Sequence, residues 1–237
     1  MELSLVSNLR TASVGAIAAK YLARKNVEVI GFIGAGEQAK SHLLTMKKVL
    51  PSLKICKVSS RTRKSEQMFV EQMKKFCPDV DIIPCGGIYK NAVEDADIIV
   101  TAISGQEKIL QADWIKEGSF YCHVAGLDDD FAVPLKANKI VCDNWEFVKH
   151  RSQTISIMYR SGLLSDSKIY ADLHEIITGL KPGRQNDNEF IYFNSVGMAF
   201  TDIALANWMY KKACRSENVC RLNFKSRSIF DFELSKV

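Results

Sequence analysis

The sequence is poorest in the features that membranes, metals and nucleic acids require. No apolar stretch approaches the roughly 18 to 20 residues needed to cross a bilayer, so no membrane partner is expected. None of the seven cysteines (56, 77, 85, 122, 142, 214 and 220) forms a CxxC pair. Several sit inside apolar, strand-like runs where a thiol packs as a small hydrophobe, a pattern that suits a reducing cytoplasm and offers no metal site. Charge of one sign is not concentrated either. The net +5 arises from 32 basic against 27 acidic residues spread along the chain, with local clusters only at Arg61 to Lys64 and in the tail. Dispersed charge of this kind solvates a surface and argues against nucleic acid as a partner. Internal repeats and low-complexity blocks are absent as well.

What is present is a chain of 237 residues, 47% hydrophobic and 25% charged, enough for one sizeable core with an appendage. Its first 25 residues carry Arg10, Lys20, Arg24 and Lys25 against a single acid, Glu2, a composition shared with organelle transit peptides. Val14, Ile17, Ala18, Tyr21 and Leu22 nevertheless fall at helical spacing, the stripe of a helix docked on a core. Val27 to Ile33 follows as a β-branched run typical of a parallel strand buried on both faces. Past Gly34 the period turns helical, with Ala39, His42, Leu43 and Met46 on one side until Pro51. Lys54 to Ser59 reads as a second strand, residues 63 to 76 as a helix facing inward through Phe69, Met73 and Phe76, and Val80 to Ile83 as a third strand.

A short helix near Asn91 to Glu94 opens a second half, with strands at Asp97 to Ala102, Ser119 to Val124 and Lys139 to Cys142. Strands alternating with crossovers predict an α/β fold, a doubly wound parallel Rossmann sheet with helices on both faces. Right-handed crossovers place the carboxyl ends of the first and fourth strands side by side, so the Gly34 turn and Thr101 to Ser104 should line the binding crevice. Beyond Trp145, Ile155 to Leu164 and Ala171 to Thr178 read as helical pieces of a different layer, and 198 to 213 as a last amphipathic helix. The expected organisation is a connecting helix over 1–24, a dinucleotide-binding domain over 25–150, C-terminal helices of an incomplete second domain over 151–213, and a poorly ordered tail over 214–237.

The strongest motif is Gly31-Phe-Ile-Gly-Ala-Gly-Glu-Gln-Ala39, a GxGxxA core that opens a helix straight after a buried strand. Gly34 permits the tight turn and Gly36 lets backbone amides reach a pyrophosphate. Ala39 lets the helix approach the sheet, so that its positive end faces the anion. Methyltransferases share such a turn, and the end of the second strand must decide. There, in place of the acid that grips a ribose, stand Ser60, Arg61, Thr62, Arg63 and Lys64. Two readings of Arg61 are open: a partner for a 2′-phosphate, which tilts NAD or NADP toward NADP, or a solvated helix start. Short-chain dehydrogenase chemistry is disfavoured, since no YxxxK pair stands in a suitable place.

Polar groups able to do chemistry gather in His123-Val-Ala-Gly-Leu-Asp-Asp-Asp130 after the fifth strand. Adjacent carboxylates raise one another's pKa values and can make a general acid or base near neutrality. A solvated acidic turn is the alternative, and a divalent-cation site lacks supporting ligand spacing. His123, at a strand end, reads as a packed histidine.

Taken together these segments resemble the ornithine cyclodeaminase and mu-crystallin family. Leu9-Arg-Thr-Ala-Ser13 resembles its RTAA signature, Gly34-Ala-Gly-Glu-Gln-Ala39 its phosphate turn, and Ala96 to Ala102 its fourth strand. Ile177 to Arg184 and Asn194 to Asp202 resemble its closing motifs, so the likeness spans about residues 5 to 213. Asp113-Trp114, Asp143-Asn-Trp145 and the 171–179 segment most resemble the branch that makes 2,3-diaminopropionate for siderophores. The resemblance implies oxidation of N-(2-amino-2-carboxyethyl)-L-glutamate: hydride leaves the glutamate Cα, water attacks the imine, and 2-oxoglutarate and diaminopropionate separate. Ornithine cyclodeaminases, an alternative, trap the imine internally. By the same resemblance Arg10 meets the substrate carboxylate and Asp128 is the catalytic acid or base, with Asp129 and Asp130 as alternatives. Thr11, Gly34, Ala35, Gly36, Glu37, Gln38, Thr101, Ala102, Ile103 and Ser104 would flank the dinucleotide. Val124, Ser195, Val196 and Gly197 would surround the nicotinamide.

Members of the family carry about a hundred more residues ahead of the RTAA helix, most of a second domain, as judged against usual domain size. That segment implies further substrate contacts and a homodimer surface. The chain is therefore expected to be an amino-acid oxidoreductase that needs the additional domain, or a protein that binds reduced cofactor without turnover, or a shortened inactive form. Apolar surface should lie exposed where the domain would pack.

Overall fold

The computed structural model describes residues 3–216 with the exception of Ala125. The reading of the tail as poorly ordered falls almost wholly on 217–237, outside the described residues. The chain opens with helix α1 (Leu3–Leu22), then β1 (Val29–Ile33), α2 (Glu37–Val49), β2 (Ile55–Ser59), α3 (Arg63–Phe76), β3 (Asp81–Pro84), α4 (Tyr89–Val93), β4 (Ile98–Thr101) and β5 (Phe120–His123). It continues through α5 (Ala132–Lys136), β6 (Lys139–Cys142), α6 (Trp145–Val148), α7 (Thr154–Arg160), β7 (Ile169–Asp172), α8 (Leu173–Ile177), β8 (Ile191–Asn194) and α9 (Ala199–Ala213).

All eight strands join one parallel sheet in the order β3-β2-β1-β4-β5-β8-β6-β7. This is a doubly wound Rossmann-like sheet, and β1 and β4 lie side by side in register from Ile30↔Ile98 to Ile33↔Thr101. Alternate strand residues feed two cores. Ile30, Phe32, Val100, Phe120 and Phe193 meet α1, α2, α3 and α8 on one face. Ile33, Ile99, Tyr121 and Tyr192 meet α4, α5, α6 and α7 on the other. Apolar residues on both faces of a strand are what a sheet covered on both sides requires.

Three local expectations are corrected. The region after Trp145 is not only helical: Ile169–Asp172 and Ile191–Asn194 are strands of the same sheet, and β8 inserts between β5 and β6. Of the expected α1 stripe, Ala18 and Leu22 are buried and Val14 packs on the core, but Ile17 and Tyr21 are exposed, and the contact is completed by the small residues Ala12, Gly15, Ala16 and Ala19. A Cβ on Gly15 would stand 2.9 Å from the His42 ring nitrogen, so the small stripe sets how closely α1 approaches α2. On α3 the inward positions are Glu66, Phe69 and Met73, and Phe76 is exposed.

Helix α9 packs beside α1, yet none of its residues is buried. Phe200, Ile203, Trp208 and Tyr210 lie exposed on it. Among the described residues no helix is long and apolar enough to cross a membrane.

Candidate functional site

A cavity of about 860 Å³ opens at the carboxyl edge of the sheet, centred on the β1/β4 boundary where the strand order reverses. Its floor is made by the turn between β1 and α2. Gly34 has φ +109°, a conformation that L side chains rarely adopt, and its amide donates to the Ser59 carbonyl at 2.8 Å. A Cβ there would stand 2.9 Å from the Ala102 carbonyl carbon and nearer still to the oxygen. Gly36, the N-cap of α2, is different. Its backbone is ordinary extended chain (φ −83°, ψ −171°), and a Cβ built on it would meet nothing within 4 Å, because it faces the open cavity. Gly34 thus shapes the turn, while Gly36 keeps clear the approach to the helix N-terminus, where Ala35, Glu37 and Gln38 also line the cavity.

At one end the wall is Ser60, Arg61, Thr62 and Ser65. Thr62 caps α3, and Ser60 Oγ donates to the Thr62 carbonyl at 2.9 Å. Glu66, on the first turn of α3, is buried and accepts from the amides of Ser60 at 2.8 Å, Gly86 at 2.8 Å and Gly87 at 2.9 Å. Its carboxylate is consumed by the β2 and β3 loops, which leaves exposed Arg61 and the hydroxyls facing this end. Glu66 was not singled out from the sequence. Its signal was an acid at helical spacing from Phe69 and Met73.

At the other end stand Ala102, Ile103 and Ser104 after β4, Val124 after β5, and Ser195, Val196 and Gly197 after β8. Arg10 and Thr11 reach the same cavity from α1. The Arg10 guanidinium lies against Gly197, and its Nε donates to Asp202 Oδ1 of α9 at 2.9 Å. Thr11 Oγ donates back to the Ser7 carbonyl at 2.8 Å. Ser7, Asn8, Ser65, Tyr89, Gly105, Glu107 and Ile109 line the cavity too, none of them singled out from the sequence. Asn8 Oδ1 accepts from Gln38 Nε2 at 2.9 Å, which ties α1 to the first turn of α2.

Thr101 and Asp128 do not line the cavity. They are fully buried on the far side of its wall. Thr101 Oγ and Tyr121 Oη are 2.9 Å apart. Neither Asp128 oxygen reaches full hydrogen-bond geometry with a described partner, and burial pushes its carboxyl up to about 6 against smaller opposing pulls from the Thr101 hydroxyl and the Gly126 backbone. Asp129, also buried, accepts from Thr154 Oγ at 2.6 Å and faces His123 Nε2 at 3.4 Å. Burial first, and the Asp128 charge after it, carry Asp129 up to about 7. His123 stacks on Tyr192 and is pushed down to about 4 by burial, so it is neutral near pH 7. Asp130 accepts from the Ala132 amide at 2.9 Å and so serves the start of α5. The three acids are therefore not a solvated turn. Two are buried carboxyls, and the third, half-buried, bonds the first amide of α5. Among the described residues no three His, Cys, Asp or Glu side chains come together as a metal site.

Residues 1–217 match the family described as "Ornithine cyclodeaminase/mu-crystallin family". The chain is 30% identical over 213 residues to N-((2S)-2-amino-2-carboxyethyl)-L-glutamate dehydrogenase of Staphylococcus aureus, covering 90% of this chain and 63% of that protein. It is 34% identical over 225 residues to alanine dehydrogenase of Archaeoglobus fulgidus, covering 92% and 67% respectively. Among solved structures, Thermococcus litoralis Δ1-pyrroline-2-carboxylate reductase in complex with NADH and L-proline superposes with a TM-score of 0.86 at 32% identity, over 90% of this chain and 67% of that one. The chain spans about two thirds of the length of the curated relatives it matches.

Proposed function

The chain belongs to the ornithine cyclodeaminase/mu-crystallin family, and from that premise we propose that it binds a nicotinamide dinucleotide and oxidises an amino acid or amino-acid adduct at Cα. The observation that carries this reading is the Gly34–Gly36 turn opening α2 at the β1/β4 switch point, with the one backbone position a pyrophosphate must approach, Gly36, free of any neighbour within 4 Å. The cofactor supplies a hydride acceptor. The α2 amides and helix dipole hold the diphosphate, and the glycine at position 36 lets it come within hydrogen-bond distance. With Glu66 spent on three backbone amides, Arg61 and the nearby hydroxyls suit a 2′-phosphate, which favours NADP over NAD.

Arg10, beside Gly197 at the nicotinamide end, is the cation for a substrate carboxylate, and a substrate would compete with Asp202 for it. Asp128, carried up to about 6, would hold or release a proton near neutrality, provided that the wall between Thr101 and the cavity yields on closure. N-(2-amino-2-carboxyethyl)-L-glutamate is the preferred substrate on the strength of the Staphylococcus aureus relative. Ornithine is the alternative. The exposed apolar residues of α9 and α1 support a homodimer as the working form.

Incubation with NADP or NAD and N-(2-amino-2-carboxyethyl)-L-glutamate, alanine, proline or ornithine tests the reading through the absorbance of reduced nicotinamide. An increase with one of these amino acids is expected. A second reading, cofactor binding without turnover, is favoured by the Arg10–Asp202 pair and by the burial of Asp128 away from the cavity. Tight binding of the dinucleotide with no absorbance change for any amino acid would select it.

A further inference from the structure

The wall at the nicotinamide end rests on one carboxylate that does not itself line the cavity. Asp143 follows β6 directly and is buried. Its Oδ2 accepts from the Val196 amide at 2.8 Å, the Gly197 amide at 2.7 Å and Ser195 Oγ at 3.2 Å, while Oδ1 accepts from the Asn144 amide at 2.8 Å. No salt bridge engages it among the described residues. A buried carboxylate is costly, and here the compensation comes from four donors, three of them on a single turn. A carboxylate serving only to join β6 to β8 would have no need of that turn, because the sheet already pairs the two strands from Lys139↔Ile191 to Cys142↔Asn194.

The turn it gathers has two consequences at the cavity. Gly197 takes φ +78° and leaves no room for a Cβ beside the Arg10 guanidinium, so the place of the turn also fixes the place of the cation. With the amides of Val196 and Gly197 engaged by Asp143 and the Ser195 carbonyl accepting from Gln153 Nε2 at 2.9 Å, the turn offers a ligand the Val196 and Gly197 carbonyls and the Val196 side chain. Acceptors beside an apolar surface suit the carboxamide N–H groups and ring of a nicotinamide. We infer that Asp143 is a positioning residue: by holding Ser195, Val196 and Gly197 it sets the surface that receives the nicotinamide half of the cofactor and aligns Arg10 beside it. This rests on the proposed nicotinamide cofactor.

The test compares Asp143→Asn with the wild-type chain, titrating NADPH, NADH and, as a probe of the adenosine half alone, ADP. An asparagine keeps the shape but turns an N–H toward donors. The expected result is roughly tenfold or greater weakening of both reduced dinucleotides, loss of the fluorescence change of the bound nicotinamide, and ADP affinity within about twofold of wild type, as follows from losing one or two charge-assisted hydrogen bonds at one end only. Equal weakening of ADP and dinucleotide, or no weakening, would overturn the inference. Should Asp143→Asn fail to fold in a thermal melt, Gly197→Ala disturbs the same turn from its other side, since its Cβ collides with Arg10. It should give the same split, and wild-type affinity for NADH in that variant would be equally fatal. If the wild-type chain binds neither NADH nor NADPH, the cofactor reading itself falls and takes this inference with it. If it binds them and Asp143→Asn is indistinguishable, only the role of Asp143 falls.

Discussion

Gly36→Ala should separate folding from cofactor binding. The residue sits at the N-cap of α2 with φ −83° and ψ −171°, dihedrals an alanine adopts without strain, and the added methyl meets no atom within 4 Å. Alanine is a poorer N-cap than glycine by about 0.5–1 kcal/mol, while its stiffer unfolded chain returns about 0.4–1 kcal/mol. The two offset, and the melting temperature should move little. The methyl instead occupies the path by which a diphosphate reaches the first amides of α2. Moving that anion outward by about an ångström forfeits one or two hydrogen bonds to a charged group, each worth about 1.5–3 kcal/mol. Affinity for NADPH or NADH should then fall by roughly 10-fold for one weak bond to about 10,000-fold for two strong ones. Fluorescence titration of the reduced dinucleotide, with a thermal melt of the same sample, reads both quantities. A variant that melts like wild type and binds like wild type would show that no phosphate passes Gly36. The reasoning would then be refuted.

Gly34→Ala should do the opposite: φ +109° and the collision with the Ala102 carbonyl make it destabilising by about 3 kcal/mol or more, visible as a large drop in melting temperature. Arg61→Ala should weaken NADPH by about ten- to a hundredfold and leave NADH unchanged, and equal effects on the two would remove the argument for a 2′-phosphate. Stability against pH carries opposing contributions. Asp128 and Asp129, raised to about 6 and 7, bind protons more tightly folded than unfolded, so stability is lost as pH rises from about 4 to 7. His42 and His123, lowered to about 4, oppose this by adding stability as pH rises from about 4 to 6.5. Asp129→Asn removes one carboxyl contribution while leaving an acceptor for Thr154. Denaturant titrations should find it about equal to wild type near pH 4 and more stable by about 1–3 kcal/mol at neutral pH. A variant less stable than wild type at neutral pH would mean that the ionised carboxylate is favoured where it lies.

Much of the architecture was legible because its signals are local. The run from Val29 to Ile33, the glycines after it and the helical period from Glu37 all act within about a turn of chain, and the dinucleotide half of the sheet follows from them. Of the residues picked for the site, those of the Gly34 turn, the Ser60–Thr62 segment and the β4, β5 and β8 ends do line one cavity, apart from Thr101. What was missed depends on partners distant in sequence. Strand β7 is four residues long and passes straight into α8, where Asp172 and Glu175 form a capping box, so its helical neighbour dominated the pattern. Between Val6 and Leu22 the face of α1 that meets α2 is mostly alanine and glycine, and a stripe of large apolar residues is a poor guide where close approach, rather than bulk, selects the residues. Glu66 and Asp143 are acids drawn inward by backbone amides from other loops, and no spacing rule reveals such amides. Asp128 was found, but its separation from the cavity is a property of the packed loop.

The central claim is that the glycine turn at the β1/β4 boundary receives a pyridine dinucleotide. Calorimetric titration of the chain with NADPH and NADH, on protein shown by a cooperative melt to be folded, measures this most directly. The account predicts saturable binding at one site, displaced by ADP and accompanied by a higher melting temperature. A cooperative melt with no heat of binding and no rise in melting temperature for either dinucleotide would contradict it.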